Sequence, residues 1–247
     1  MIWTIATREL KNMFMSPLAW SVLGIVQAIL AFFFLDRTND VLRAKMQLLA
    51  ADNAPGITEL IVPPLFLNAA IIMLLVTPLL TMRLIAEERR NRTLPLLFSA
   101  PVSMTEIVLG KYLSVLLFLW LMVVLTALMP LSLVVGGQLD FGLLAAASLG
   151  LALVFATFAA VGLFMSSITQ YAAIAAIGTL GVLLLFWIIG GQGDTETSIA
   201  GYLSLFNQYM PFLQGTLNTD AVVFFVLLIT TFLVLTIRRL DADRLGG

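Results

Sequence analysis

Charged side chains cluster in one stretch of an otherwise apolar chain, between residues 85 and 113. Two adjacent acids, Glu87 and Glu88, stand where a long apolar run ends. The basic residues that share this stretch are Arg89, Arg90, Arg92 and Lys111. These four make up a large share of the basic residues expected on the inner side of the membrane. Taken alone, the cluster is consistent with an ordinary basic cluster that only sets membrane orientation.

The rest of this stretch has the pattern of a short helix, a tight turn and a new helix start. Residues 93–99 are apolar and helix-like, and Pro101 follows them. Ser103 and Glu106 have the spacing of a capping box, which satisfies backbone amides at a helix N-terminus. A short apolar helix outside the membrane needs a partner surface to cover it. The order therefore indicates more than a passive connector.

Several kinds of chemistry are excluded by residue type. The chain has no Cys and no His, which excludes disulfides, zinc fingers, His-ligated metals, Cys nucleophiles and Ser-His-Asp triads. The one Gly-Lys pair, Gly110-Lys111, precedes Tyr112, and Thr105 stands where a phosphate-binding loop needs its first glycine. The sequence therefore predicts no metal, no cofactor and no catalytic residue in this chain.

Composition identifies the environment of the chain. Of its 247 residues, 61% are hydrophobic and 11% are charged, whereas a soluble domain has about 45–50% and about 25%. The formal charge of −1 gives no basic field for nucleic acid. Six apolar stretches approach the roughly 20 residues that span a bilayer. They cover residues 17–35, 61–85, 112–135, 141–165, 172–189 and 221–237. We expect an all-α polytopic membrane protein with one domain over residues 1–247.

The distribution of basic residues predicts the orientation. With the N-terminus inside, ten of the 13 Lys and Arg residues fall on the inner side and three on the outer side. This excess predicts that both termini are cytoplasmic. Residues 86–111 then form a cytoplasmic loop.

Two segments outside the spans have recognisable patterns. In residues 1–16, Trp3, Ala6, Leu10 and Met13 recur at helical spacing, which predicts an amphipathic interfacial helix; an unstructured basic flank is the alternative. Residues 190–220 form an outer segment, aromatic but too interrupted to cross the membrane, which is either re-entrant or a surface-lying lid. In the first outer loop, Asn39 is a candidate helix cap.

The fourth apolar stretch carries small residues at four-residue spacing. They are Gly142, Ala146, Gly150, Ala152, Ala156 and Ala160. Small residues allow helix backbones to approach in a membrane, so this face should pack within the subunit or at a dimer seam. No acid lies in the middle of any apolar stretch, which argues against a proton-coupled transporter.

A family resemblance rests on two motifs. The first is Glu87-Glu88-Arg89, then Arg92-Thr93-Leu94, Leu97, Ser99-Ala100-Pro101-Val102-Ser103 and Gly110-Lys111; the second is Arg8-Glu9-Leu10-Lys11, Phe14 and Ser16-Pro17. Together with the six-span plan, they resemble ABC-2 type exporter permeases. The likeness is closest to the branch of gliding-motility and copper-nitrous-oxide-maturation permeases. Arg92 replaces the usual Gly, and Pro95 the usual Glu; these departures affect how the short helix would dock but not the identity of the loop.

The resemblance implies a role for each motif. A coupling helix would dock on a separate ATPase through Arg92, Thr93, Leu94, Leu97, Phe98, Pro101, Val102 and Ser103. A charged cluster at the inner gate would consist of Glu87, Glu88 and Arg89. An elbow helix would include Trp3, Arg8 and Glu9. Residues 198–213 would be the re-entrant segment.

The resemblance also implies the partners. ATP and Mg would be bound by an ABC ATPase subunit, in two copies, and not by this chain. A second copy of the chain or a related permease, membrane lipids and, in some complexes, an extracytoplasmic accessory protein complete the set, in a bacterial inner membrane.

We therefore predict the permease subunit of an ABC exporter. The alternative is a scaffold or mechanotransmission subunit that acts on extracytoplasmic partners without moving a solute. A secondary transporter or channel is a third option. The 11 methionines are scattered and are expected to fill helix packing.

Overall fold

The computed structural model describes residues 1–48, 56–91, 103–135, 139–189 and 199–245. Within these ranges the chain forms ten α-helices and one short 3-10 turn, Ser132–Val135. The helices are α1 (Ile2–Met15), α2 (Pro17–Leu48), α3 (Ile57–Thr81), α4 (Ala86–Arg90), α5 (Met104–Leu131), α6 (Phe141–Ile168), α7 (Ala172–Ile188), α8 (Ile199–Tyr202), α9 (Leu205–Leu213) and α10 (Thr219–Leu245).

The helices fit a polytopic membrane protein, which confirms the predicted fold class. Five helical segments are long and apolar enough to cross a membrane. They are Pro17–Arg43, Ile57–Arg90, Met104–Val134, Phe141–Ile168 and Thr219–Arg244. The stretch expected as the fifth span forms α7, an apolar helix of 17 residues. Its length of about 26 Å is slightly less than the roughly 30 Å of hydrocarbon.

Helix α6 lies at the centre of the bundle. In its most apolar stretch 72% of the residues are buried, against 22% in α2 and in α10. It packs against α3, α5, α7, α9 and α10. Ala146, Ala156 and Ala160 are buried, so the predicted small-residue face packs within the subunit, whereas Gly142 is exposed.

Glycines on α6 bring neighbouring helices into close contact. A Cβ built on Gly150 would lie 2.5 Å from the Cβ of Phe212 on α9, and one on Gly162 would overlap the side chain of Thr81 on α3. Tyr209 and Phe212 are fully buried, and the Tyr209 hydroxyl donates a hydrogen bond to the Phe66 carbonyl at 3.3 Å. Helix α9 is therefore part of the bundle, which argues against a lid that only lies on the surface.

Helix α2 continues beyond the expected end of the first span. It runs without a break through Asn39, so the cap predicted there is wrong. Residues 36–48 contain neither Gly nor Pro, and a helix that leaves the membrane tolerates charged residues. The Arg37 guanidinium donates a hydrogen bond to the Leu60 carbonyl at 3.0 Å, which ties α2 to the first turn of α3.

Candidate coupling site at the basic end

The end of the bundle that holds α1, α4, the start of α5 and the end of α10 is called the basic end below. Its centre is the short helix α4, which a turn at residues 82–85 separates from α3. Ser166 of α6 holds this turn: its hydroxyl accepts hydrogen bonds from the amides of Ile85 and Ala86 at 3.0 and 3.1 Å. The same hydroxyl donates to the Met82 carbonyl at 3.0 Å. One serine thus supplies the partners that a helix start needs.

Lys111 joins three helices at this end. Its side chain is only 3% exposed, and its Nζ lies 2.8 Å from a carboxylate oxygen of Glu88 and 3.0 Å from one of Glu9. Lys111 is in α5, Glu88 in α4 and Glu9 in α1. A buried ammonium is tolerated only when it is paired, so these acids are what allows Lys111 to be buried.

The position of α1 follows from close packing on α5. A Cβ built on Gly110 would lie 2.7 Å from the Cγ2 of Ile5, so only glycine lets α1 come this near. Further along, the Phe14 ring contacts Phe118 with the ring centroids 5.6 Å apart. These contacts hold the apolar face of α1 against α5, and they place Glu9 within contact distance of Lys111.

Arg89 connects α4 to the other side of the bundle. Its guanidinium is ion-paired with the carboxylate of Asp243 near the end of α10. It also donates a hydrogen bond to the Ser167 carbonyl of α6 at 2.9 Å. Arg239 lies 3.7 Å from the other carboxylate oxygen of Asp243. Glu88 and Arg89 are thus consecutive in the chain but bind different sets of helices. We call the group Glu9, Glu88, Arg89, Lys111 and Asp243 the charged hub.

The comparisons with known proteins agree with this architecture. A family profile described as ABC-2 family transporter protein matches residues 3–245. The chain belongs to the ABC-2 transporter family. No curated protein matches this ABC-2 family chain. Membership of the family supports a membrane subunit of an ABC transporter.

The structure brings together some residues predicted for the ABC-2 family chain and leaves others apart. Glu88, Arg89 and Glu9 lie in the charged hub. Glu87 instead faces Arg83, with its carboxylate 3.3 Å from Nε on an exposed surface. Trp3 and Arg8 of the predicted elbow helix are exposed.

The predicted docking segment is only partly within the described ranges. Ser103 accepts a hydrogen bond from the Glu106 amide at 3.2 Å, and the Ser103 amide donates to the Glu106 carboxylate at 3.1 Å. The predicted capping box is confirmed. The other docking residues lie outside the described residues: Arg92, Thr93, Leu94, Leu97, Phe98, Pro101 and Val102.

Sequence reasoning missed two members of the hub, Lys111 and Asp243, and the serine that caps the start of α4. It placed Lys111 in a motif without a role, and it gave none to Ser166 or Asp243. Arg89 and Asp243 are 154 residues apart, so no local spacing connects them. The available signal was a pair of acids, Asp241 and Asp243, among the basic residues of the C-terminal tail, and it does not single out Asp243.

Proposed function

We propose that this chain is the permease subunit of an ABC exporter in a bacterial inner membrane, with the basic end and both termini in the cytoplasm. A separate ABC ATPase, in two copies, binds ATP and Mg. A second copy of the chain or a related permease completes the membrane pathway. The single observation that carries this proposal is the charged hub, since it lies directly beside the segment predicted to dock on the ATPase.

The hub supports the proposal because both ends of residues 92–102 are anchored. The segment follows α4 and Asn91, and α4 is bound to α5, α10 and α6 through Glu88, Arg89 and Ser166. Lys111 links Glu88 further to Glu9 of α1. The segment ends at Ser103, which starts α5 through its capping box. A partner that displaces residues 92–102 therefore acts at once on two spanning helices and on the elbow helix.

The charge distribution supports the cytoplasmic orientation. The exposed basic side chains Arg8, Lys11, Arg90 and Arg238 all belong to the basic end. An excess of Lys and Arg marks the cytoplasmic side of short connections. The proposal thus includes the orientation, the docking on the ATPase and the inner-membrane location. It also includes the branch of gliding-motility and copper-nitrous-oxide-maturation permeases, which rests on the resemblance of the loop motif.

The direct test is ATPase coupling. The chain is co-expressed with candidate ABC ATPases from its own genome, and ATP hydrolysis is measured in the purified complex. Leu97→Asp with Phe98→Asp should abolish copurification or stimulated hydrolysis, because charges would replace the two apolar side chains proposed to contact the ATPase. Leu217→Asp, at an exposed leucine of the opposite end, is the matched control and should remain coupled. Full coupling in the 97/98 variant would refute the docking assignment.

The same complex separates export from mechanotransmission. Export predicts ATP-dependent accumulation of a solute or lipid in inverted vesicles that contain only the permease and its ATPase. A stable extracytoplasmic partner with no transport in such vesicles would instead support the scaffold alternative.

A further inference from the structure

A cavity of about 720 Å³ opens beside the charged hub. It lies between α1, the start of α2, the end of α3 and the start of α5. One wall is apolar and includes Leu18, Leu79 and Leu80. The rim is charged and includes Arg8, Arg83 and Glu87. A cavity of this size accommodates a small amphiphile.

An exposed apolar track leads from this cavity toward the middle of the membrane. Ile71, Leu75 and Leu79 are spaced four residues apart on α3 and are 42%, 54% and 46% exposed. Residues at this spacing share one helix face, so the track extends over about 12 Å. Arg83, in the turn after α3, and Glu87, in α4, lie at the cavity end of the track, and both are exposed. Along this track the surface changes from apolar to charged, in the same order as the acyl chains and the headgroup of a membrane lipid.

The charges at the rim are balanced. Arg8, Arg83 and Lys111 face Glu9, Glu87 and Glu88 around the cavity, so the lining is formally neutral. Arg83 Nε and the Glu87 carboxylate lie 3.3 Å apart and present a cation beside an anion. A headgroup with a phosphate beside an ammonium complements that arrangement, whereas a purely anionic headgroup leaves Glu87 opposed by a like charge.

We propose that this cavity is a binding site for a zwitterionic aminophospholipid of the adjacent leaflet. Arg8 and Arg83 bind the phosphate, Glu87 binds the ammonium, and an acyl chain follows Leu79, Leu75 and Ile71. The lipid is a resident of the site, and the proposal does not depend on which solute the ABC-2 family chain moves. By filling the space between α1 and α3, it stabilises the elbow helix against the spans.

The experiment uses the full chain in nanodiscs of equal parts phosphatidylethanolamine and phosphatidylglycerol. A trace of phosphatidylethanolamine with a photoactivatable acyl chain is cross-linked, and the adducts are mapped by mass spectrometry. We expect adducts between residues 71 and 79. Arg8→Gln with Arg83→Gln should lower labelling about tenfold, because both phosphate contacts are lost.

Two further variants keep the test independent of folding and net charge. Leu79→Trp fills the cavity without changing charge and should also lower labelling. Arg238→Gln removes an exposed arginine of α10, which does not line the cavity, and should label like the unmodified chain. All variants should retain the circular-dichroism spectrum of the unmodified chain, since the substituted side chains are exposed and their loss should not prevent folding.

Three results would overturn the proposal. The first is unchanged labelling in the Arg8/Arg83 double variant. The second is stronger labelling by photoactivatable phosphatidylglycerol than by phosphatidylethanolamine. The third is efficient disulfide formation between two copies carrying Leu79→Cys, because a second copy would then cover the track. The chain has no native cysteine, so the last result is free of background.

Discussion

The basic end and the centre of the bundle hold their helices together by different physics. At the basic end, helices are joined by ion pairs, in which Lys111 contacts Glu9 and Glu88, and Arg89 contacts Asp243. Around α6, they are joined by close packing, in which Gly150 allows Phe212 to approach and Gly162 accommodates Thr81. The basic end is partly hydrated, since the acids of the hub are 22–26% exposed.

This difference separates a part of the molecule that can rearrange from a part that is fixed. Ion pairs at a partly hydrated surface can exchange partners, because water and neighbouring charges compensate the lost contact. Interlocked glycine and aromatic contacts have no comparable second arrangement, since packed interiors resist deformation. A force applied at residues 92–102 should therefore rearrange the basic end while α6 and α9 keep their contacts.

The largest effect on stability should come from Lys111. Lys111→Met removes the ammonium that lies between the carboxylates of Glu9 and Glu88, and removal of one partner from a buried ion pair costs about 3 kcal/mol. The free energy of unfolding in detergent measures this loss. Combining Lys111→Met with Glu9→Gln and Glu88→Gln should recover most of it. Lys11→Met, at an exposed lysine of the same elbow helix, is the control and should have little effect. Equal stability of Lys111→Met and the unmodified chain would show that the hub does not hold these helices.

The second-largest loss of stability is expected in the closely packed centre of the bundle. Gly150→Ala would place a methyl group 2.5 Å from the Phe212 Cβ, and overpacking of this kind costs about 1–3 kcal/mol. Gly181→Ala is the matched control, because a Cβ built there meets nothing within 4 Å. The control should be neutral or gain up to about 1 kcal/mol from helix propensity. If both substitutions have the same sign, the centre is not closely packed.

A smaller loss of stability is expected at the ion pair between Arg89 and Asp243 of the hub. Arg89→Gln loses the ion pair with Asp243 and weakens the bond to the Ser167 carbonyl, at a cost of about 1–2 kcal/mol. In a complex with the proposed ATPase, this variant should hydrolyse ATP but, if the chain is an exporter, transport less per ATP. The exchange Arg89→Asp with Asp243→Arg should recover part of both properties. No recovery in the exchanged variant would mean that the two side chains do not act as a pair.

The smallest effect belongs to the exposed pair at the rim of the cavity. Glu87→Gln removes the 3.3 Å contact with Arg83, and exposed pairs of this type contribute about 0.5 kcal/mol or less. The difference from the unmodified chain should disappear at high salt, because exposed charges are screened. A salt-independent loss larger than that of Arg89→Gln would reverse the proposed ranking of the two pairs.

Local features of the fold were predictable from the sequence. The Ser103–Glu106 capping box depends on residues three apart, and its geometry is confirmed. The apolar stretches and the small-residue face of α6 are likewise local patterns. The Asn39 cap failed because a polar residue starts a helix only where the preceding residues do not continue one.

The site was less predictable because its contacts join distant parts of the chain. Lys111 meets Glu9 from 102 residues away, and nothing in either motif specifies the pairing. Ser166 caps α4 from another helix, which no spacing rule describes. The docking residues between Arg92 and Val102 stay a prediction from the loop motif.

The most direct test of a movable basic end beside a fixed centre is a pair of distances measured by spin labels. One pair of labels is placed at Arg90→Cys and Arg238→Cys across the basic end, and a second pair at Phe141→Cys and Leu217→Cys at the opposite end; all four native side chains are exposed. The complex with the proposed ATPase is compared without nucleotide and after trapping with ATP and vanadate. We predict that trapping shifts the distance between positions 90 and 238 and leaves that between 141 and 217 unchanged. An unchanged distance between 90 and 238 in a complex that hydrolyses ATP would contradict the account.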